Sequence, residues 1–217
     1  METMSAAETQ KPMNDLEFAA LLVSRVCHDL VSPVGAVVNG LEVLEDERDA
    51  NMRAEALKLV ASSAEQAAAR LKFARIAFGA AGSAGAELDL GEIGRTVKGL
   101  VQGGKVEIDW KAPPVNWPKN WAKLLMNATL LATDSLPRGG KIEVETSTDG
   151  SAPSFTVKAS GQGARVLEEV AKAARGEASG PFDGRSIQAL LTHRLARELN
   201  AGLTISLGEN RVELAAG

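Results

Sequence analysis

Apolar residues recur every three or four positions along the first third of the chain. Between 16 and 44 the steps alternate four and three, and a second run from 57 to 78 does the same. Such a seven-residue repeat is typical of helices that bury a narrow apolar stripe against partner helices. The charged residues 45–49 separate the runs, so the pattern predicts an antiparallel helical hairpin. We call the repeating residues the heptad seam: Leu16, Ala20, Val23, Cys27, Leu30, Val34, Val37, Leu41 and Leu44, then Leu57, Val60, Ala64, Ala67, Leu71, Ala74 and Phe78.

Each predicted helix also carries apolar residues outside the seam, among them Val38 on the first and Phe73 and Ile76 on the second. One hairpin cannot cover both sets, whereas two hairpins side by side can. The pattern therefore predicts a four-helix bundle formed by a homodimer.

Local signals set the ends and an irregularity of the first helix. Asn14 followed by Glu17 predicts a capping box, and the periodicity continues to about Glu45. Pro33 lies inside this helix and removes the hydrogen bond to the carbonyl of Asp29. We therefore expect the helix to bend or loosen within one turn of His28, whose imidazole faces water at the edge of the seam.

Beyond a Gly/Ala/Ser-rich segment the sequence changes character. Helices are predicted at about 90–101, 117–134, 163–175 and 186–200, and strands at 106–110, 141–147, 154–159, 203–207 and 211–214. This mixture predicts a two-layer α/β sandwich. The expected organisation is a disordered segment 1–13, a hairpin 14–79, a linker 80–87 and a second domain 88–217.

Composition narrows the classes of function. The net charge of −4, without a Lys/Arg cluster, argues against a nucleic-acid partner. The single Cys27 excludes an internal disulfide, and its seam position predicts a small buried side chain. No signal peptide and no apolar stretch of about 20 residues is evident, so we expect a cytoplasmic protein without a membrane partner.

Three segments together resemble a two-component histidine kinase. The run His28-Asp29-Leu30-Val31-Ser32-Pro33 resembles the H-E-L-x-T-P motif of the dimerisation and phosphotransfer hairpin. Residues 123–128, with the following 137–144, are similar to the N box and the strand after it, and Ala159 to Gly163 occupies the place of the D-x-G-x-G box. The resemblance spans about residues 14–214. It implies an α+β protein in which a dimeric helical hairpin precedes a histidine-kinase-like (Bergerat) α/β sandwich.

The departures from the kinase pattern fall on its nucleotide-binding residues. Ala159 replaces the adenine-recognising aspartate, Lys123 replaces an asparagine, and Leu130 replaces a phosphate-contacting lysine. The glycine-rich lid is reduced to 183–187. We therefore expect a degenerate ATP site around Asn127, Ala159, Gly161 and Gly163 that binds neither ATP nor metal.

A phosphotransfer hairpin beside such a site resembles the dimeric histidine phosphotransferases of the ChpT type. That resemblance implies that phosphate arrives from the receiver domain of a hybrid histidine kinase. It then leaves for the receiver domains of response regulators of the CtrA and CpdR kinds. The chain would need no cofactor, because Mg²⁺ belongs to the receiver.

The motif assigns candidate roles around His28, the expected phospho-acceptor. Asp29 would orient the imidazole or accept its proton, and Ser32, one turn later, could position water. Arg25, one turn earlier, could hold the phosphoryl group or simply contact solvent. Candidate docking residues for receivers are Val31, Val38, Phe73 and Ile76, for which burial in the dimer core is the alternative. His193 lies on an ordinary amphipathic helix and is interpreted as structural.

Two rival functions stay open at this point. One is an ATP-using sensor kinase core, which would phosphorylate itself at His28. The other is a non-catalytic pseudokinase scaffold, which would act without His28.

Overall fold

The protein begins with a long helical hairpin. A computed structural model describes residues 13–79, 86–147, 152–178 and 180–217. Helix α1 spans Asp15–Asp46 and helix α2 spans Ala50–Ala77. The predicted hairpin is therefore confirmed, whereas the disorder predicted for residues 1–12 and the linker positions 80–85 lie outside the described residues.

Both helices begin with side-chain caps, of which the capping box of α1 was predicted and is confirmed. The Asn14 side chain accepts a hydrogen bond from the Glu17 amide at 2.9 Å, and the Glu17 carboxylate accepts one from the Asn14 amide at 3.0 Å. Asp49 caps α2 by accepting from the amides of Asn51 and Met52. These bonds satisfy amides that have no partner within the helix. Helix α1 continues without interruption through Pro33.

Small residues bring the two hairpin helices together. A Cβ added to Gly40 would lie 2.7 Å from Cγ2 of Val60, so only glycine permits this approach. Ala56 and Ser63 are also buried. Six of the large seam side chains face outward instead, with exposures of 48–81%: Leu16, Val23, Val34, Leu41, Leu57 and Leu71. Other seam residues, among them Leu30, Val37 and Val60, are half-buried. The prediction that Cys27 is buried is wrong for the single chain, in which it is exposed.

The apolar side chains of α1 raise the question of whether this helix resembles a membrane span. Among the described residues, α1 is the one helix long and apolar enough to cross a membrane by length and composition. This finding departs from the prediction that the chain has no apolar stretch of about 20 residues. In the structure, however, α1 packs along α2 and touches the second domain through α6.

The second domain is a mixed sheet packed against helices. Its elements are β1 (Glu87–Asp89), α3 (Leu90–Val101), β2 (Val106–Trp110), β3 (Asn116–Pro118), α4 (Lys119–Asp134), β4 (Gly140–Thr146), β5 (Phe155–Ser160), α5 (Glu168–Arg175), α6 (Gly184–Glu198), β6 (Thr204–Gly208) and β7 (Arg211–Ala216). The main sheet has the order β2-β4-β5-β7-β6, with β2 parallel to β4 and the other pairs antiparallel. Its core joins α4, α5 and α6 to the inward side chains of the sheet. The predicted α+β class and α/β sandwich are thereby confirmed.

Two local features depart from the predicted elements. The helix expected from 163 begins only at Glu168, because Gly163 adopts a φ of 74° and its amide donates to the Asn210 side chain at 2.8 Å. A short antiparallel pair, β1 with β3, was not predicted and begins at Glu87, inside the expected linker. Three-residue strands carry too little periodicity to be read from sequence.

Candidate functional site

His28 lies on α1 with its imidazole almost fully in solvent. The side chain is 86% exposed, and its Nδ1 lies 3.5 Å from Oδ1 of Asp29. That distance is the outer limit of a hydrogen bond. Asp29, which was predicted to orient the imidazole, therefore lies directly beside the second ring nitrogen, although the two residues are adjacent on the helix.

Arg25 occupies a different environment from the one predicted. It is buried, and its Nε donates to Oδ2 of Asp29 at 2.9 Å. Its Nη2 donates to Oδ2 of Asp134, at the end of α4, at 3.1 Å. The expectation that Arg25 contacts solvent is therefore wrong, because its guanidinium is buried between two carboxylates. Its contact with the phosphoryl group stays a prediction.

Burial and neighbouring charges shift the pKa values of Arg25 and Asp134 in opposite directions. Burial disfavours the charge on Arg25, but the carboxylates of Asp134 and Asp29 outweigh it and raise the pKa of the guanidinium. Burial raises the pKa of Asp134 above its ordinary value, although Arg25 opposes that rise. Arg25 therefore stays protonated between its two partners.

The main chain of Asp29 has a partner of its own. Nη1 of Arg70, on α2, donates to the Asp29 carbonyl at 2.7 Å. This carbonyl is the acceptor that an amide at position 33 would have satisfied. The arginine explains how α1 stays helical through Pro33, where a bend or loosening was expected.

A cleft of about 430 Å³ opens beside His28. Helix α1 forms one wall, and the other comes from the end of α4 and the start of α6. The lining residues are Ser24, Arg25, His28, Asp29, Asp134, Asp183, Gly184 and Arg185. The second domain thus contributes directly to the surroundings of the histidine.

The candidate docking residues divide into two groups. Val31 and Val38 are 70% and 48% exposed, and Ser32 is exposed one turn after His28. Phe73 is only 3% exposed and packs against α3 and α4, with Ile76 partly buried at the same contact. The prediction that Phe73 docks a receiver is therefore wrong, because the second domain covers it.

The residues assigned by resemblance to a degenerate ATP site bond to, or pack against, other parts of the chain. Asn127 is fully buried, and its Nδ2 donates to the carbonyls of Ala77 at 3.0 Å and Lys123 at 2.9 Å. Its Oδ1 accepts from Nε2 of Gln188 at 3.0 Å. The amide therefore attaches the end of α2 to the second domain.

The neighbouring positions are similarly committed. Nζ of Lys123 donates to the Gly79 carbonyl at 3.0 Å, just beyond the end of α2. Ala159 is buried in the sheet core, and Gly161 packs so closely on the backbone of Gly139 that a Cβ has no room. Within the described ranges, no group of three or more His, Cys, Asp or Glu side chains could hold a metal ion.

Sequence reasoning missed Asp134, Arg70 and the cleft wall formed by Gly184 and Arg185. One signal for a structural Arg25 was available, because Arg25 and Asp29 are four apart on a helix and can form an ion pair. A second was the carbonyl left free by Pro33, which requires a donor from elsewhere.

Comparison with known proteins assigns the family. A family model for the histidine phosphotransferase C-terminal domain matches residues 90–211. The chain is 41% identical over 196 residues to the protein phosphotransferase ChpT of Brucella abortus (strain 2308), covering 90% of this chain and 91% of that protein. The chain belongs to the histidine phosphotransferase family. Phosphotransfer in a phosphorelay follows from that membership.

One solved structure shows the same architecture over nearly the whole chain. A bacterial phosphotransferase determined at 1.7 Å superposes with a TM-score of 0.85 at 35% identity, covering 96% of this chain and 99% of that chain. The histidine kinase domain of the blue-light activated kinase from Erythrobacter litoralis EL346 is more distant, with a TM-score of 0.48 at 15% identity, covering 84% of this chain and 94% of that chain. The close structural match agrees with the family assignment over nearly the whole chain.

Proposed function

We propose that this protein carries a phosphoryl group on His28 between the receiver domains of other proteins. The observation that carries the proposal is the exposed imidazole with Asp29 beside its Nδ1. A hydrogen on Nδ1 held toward Asp29 leaves the lone pair on Nε2 as the nucleophile. No other side chain competes for this role in the motif.

The transfer conserves the phosphoryl group. Nε2 attacks the phosphorus of a receiver's phospho-aspartate, the P–N bond forms, and the P–O bond to the aspartyl carboxylate breaks. The leaving carboxylate keeps the electron pair. The phospho-imidazole retains its Nδ1 proton and becomes cationic, and the carboxylate of Asp29 compensates that charge. Attack by a second receiver's aspartate reverses these steps.

The proposed donor is the receiver domain of a hybrid histidine kinase. The proposed acceptors are response regulators of the CtrA and CpdR kinds. The divalent metal belongs to the receiver in this scheme. Independence from ATP is supported by Asn127, whose amide bonds to Ala77, Lys123 and Gln188 within the chain.

The working form proposed here is a cytoplasmic homodimer. Its support is the part of the heptad seam that stays exposed on both hairpin helices, including Leu16, Val23, Leu41, Leu57 and Leu71. These side chains are suited to packing against a second hairpin. A four-helix bundle of two hairpins would cover that face. His28 lies beside the seam and would stay open to solvent.

A transfer assay tests the proposal. The protein is incubated with a receiver domain carrying radiolabelled phospho-aspartate, and the acid-labile label on this chain is followed over time. His28→Ala should remove all label, whereas His193→Gln should keep it, because the sequence has two histidines and His193 packs on Gly176 in the second domain. A receiver that keeps its label in the presence of the unmodified protein would refute the relay.

Parallel reactions separate the two rivals. Label on His28 from ATP alone would support a sensor kinase core. A pathway output that survives His28→Ala would support a scaffold. Label that arrives only from the phosphorylated receiver would support the relay.

A further inference from the structure

A chain of three polar contacts joins the second domain to the imidazole. Asp134 at the end of α4 binds Nη2 of Arg25 at 3.1 Å, and Nε of Arg25 binds Oδ2 of Asp29 at 2.9 Å. The other oxygen of Asp29, Oδ1, lies 3.5 Å from Nδ1 of His28. Nη1 of Arg25 is also directed to the second domain, donating to the Gly184 carbonyl at 3.4 Å.

Because of the geometry of the guanidinium, the contact between Asp134 and Arg25 affects the contact between Asp29 and His28. Nε and Nη2 lie on one edge of the planar group, the edge that binds both oxygens of a carboxylate in bidentate pairs. Here Nη2 donates to Asp134 and not to Asp29, and Arg25 holds Asp29 through Nε and Oδ2 alone. The oxygen Oδ1 is therefore left facing His28.

Loss of the Asp134 carboxylate would change this arrangement. Nη2 would be free to bind the remaining carboxylate, and Arg25 would hold both oxygens of Asp29. Oδ1 would then turn away from the imidazole. The ring would lose the partner that selects its Nδ1–H tautomer.

We propose that Asp134 is a positioning residue for His28, acting through Arg25 and Asp29 to keep Nε2 as the unprotonated, attacking nitrogen. The second domain thereby forms part of the phosphotransfer site. This inference rests on the proposed function, since it assumes that His28 is the phospho-acceptor.

The test compares Asp134→Leu, which has a similarly branched side chain but no acceptor for Nη2, with the unmodified protein. Transfer from a phosphorylated receiver to His28 should slow about tenfold, and ¹⁵N NMR of the His28 side chain should show a larger population of the Nε2–H tautomer. Asp134→Glu retains a carboxylate and should recover part of both signals. Glu168→Gln, which breaks an exposed ion pair with Lys172 on α5, should leave both unchanged.

A purely structural Asp134 would give a different result. Asp134→Leu would then lower thermal stability while the tautomer ratio and the transfer rate of the folded protein stayed at their original values, and this outcome overturns the proposal. If Asp134→Leu does not fold, Arg25→Lys serves instead, because one ammonium keeps the charge but lacks the two parallel donors of the guanidinium edge. An unchanged tautomer ratio and rate in folded Arg25→Lys would equally overturn it.

Failure of the proposed function is recognised separately. In that case the unmodified protein itself takes no label from the receiver. When the unmodified protein is labelled at His28 and Asp134→Leu matches it in transfer rate and tautomer ratio, only the positioning role fails.

Discussion

Arg70 on α2 donates Nη1 to the main-chain carbonyl of Asp29 on α1, at 2.7 Å, where Pro33 supplies no amide. A partly buried acceptor without a partner costs about 1–3 kcal/mol. The arginine therefore replaces the hydrogen bond that is missing because of the proline, at the residue next to His28.

This pairing predicts a coupling between Arg70 and Pro33. Arg70→Met should lower the free energy of unfolding by about 1–3 kcal/mol, because the Asp29 carbonyl loses its donor. In a Pro33→Ala background the amide of residue 33 can take over, so the same change should cost about 1 kcal/mol less. Urea denaturation of the four proteins measures the cycle. Effects that add within about 0.5 kcal/mol would contradict this role of Arg70.

Asn127 is predicted to stabilise the junction between the domains. Asn127→Leu should lower the free energy of unfolding by about 2–4 kcal/mol, since it removes the buried donor to the Ala77 carbonyl and one of the acceptors of the Gln188 amide. The matched control is Asn120→Ala on the same helix, which removes an exposed bond to Glu198 and should cost under about 1 kcal/mol. Equal losses in the two variants would show that the buried bonds of Asn127 are not special.

Lys123 predicts a specific pH dependence. Burial, with some repulsion from Lys119, lowers the pKa of Lys123 below its ordinary value of 10.5. The unfolded chain therefore binds a proton more tightly at this site than the folded chain does, so stability rises with pH from the lowered pKa up to about 10.5. Relative to Lys123→Met, the unmodified protein should become more stable over that window. Denaturation series at several pH values check the difference, and a constant difference would rule it out.

The heptad seam predicts an association that one substitution can test. Leu41 is 48% exposed in the single chain, so Leu41→Asp should leave a monomer almost unaffected but place a charge in the core of a dimer. Light scattering should show the mass falling from dimer to monomer. Val115→Asp, at an exposed valine of the second domain, should keep the dimer. A monomeric unmodified chain would end the bundle hypothesis.

Substitutions of Val31 and Phe73 are predicted to affect different properties, receiver binding for Val31 and folding stability for Phe73. Val31→Asp changes a side chain that is 70% exposed near His28, and it should weaken receiver binding about tenfold with little loss of stability. Phe73→Ala empties a buried position and should cost about 3–5 kcal/mol of stability. Calorimetric titration with a receiver, paired with thermal unfolding, separates the two effects. Unchanged receiver affinity in Val31→Asp would exclude that valine from docking.

The sequence located features that depend on neighbouring residues. Asn14 and Glu17 marked the start of α1, and Pro33 identified the carbonyl that needs a donor. Periodicity also showed which residues share a helix face. It could not show what covers that face, because Gly40 brings α2 against a different side of α1.

Contacts between distant residues were out of reach for the same analysis. Arg25 and Asp134 are 109 residues apart, and nothing local to either one indicates the other. The bond from Asn127 to the Ala77 carbonyl at the end of α2 likewise joins residues that are 50 positions apart. Side-chain chemistry at both positions was visible, but its partners are set only by the tertiary fold.

Helix α4 is fastened to both helices of the hairpin, through Asn127 to α2 and through Asp134 to α1. Seven residues separate these anchors, which is about 10 Å along the helix axis. A domain held by a single contact can rotate about that contact, whereas two separated contacts resist rotation. Domain swinging in this protein would require one contact to break, so its two halves should move as a single rigid unit while partners come and go.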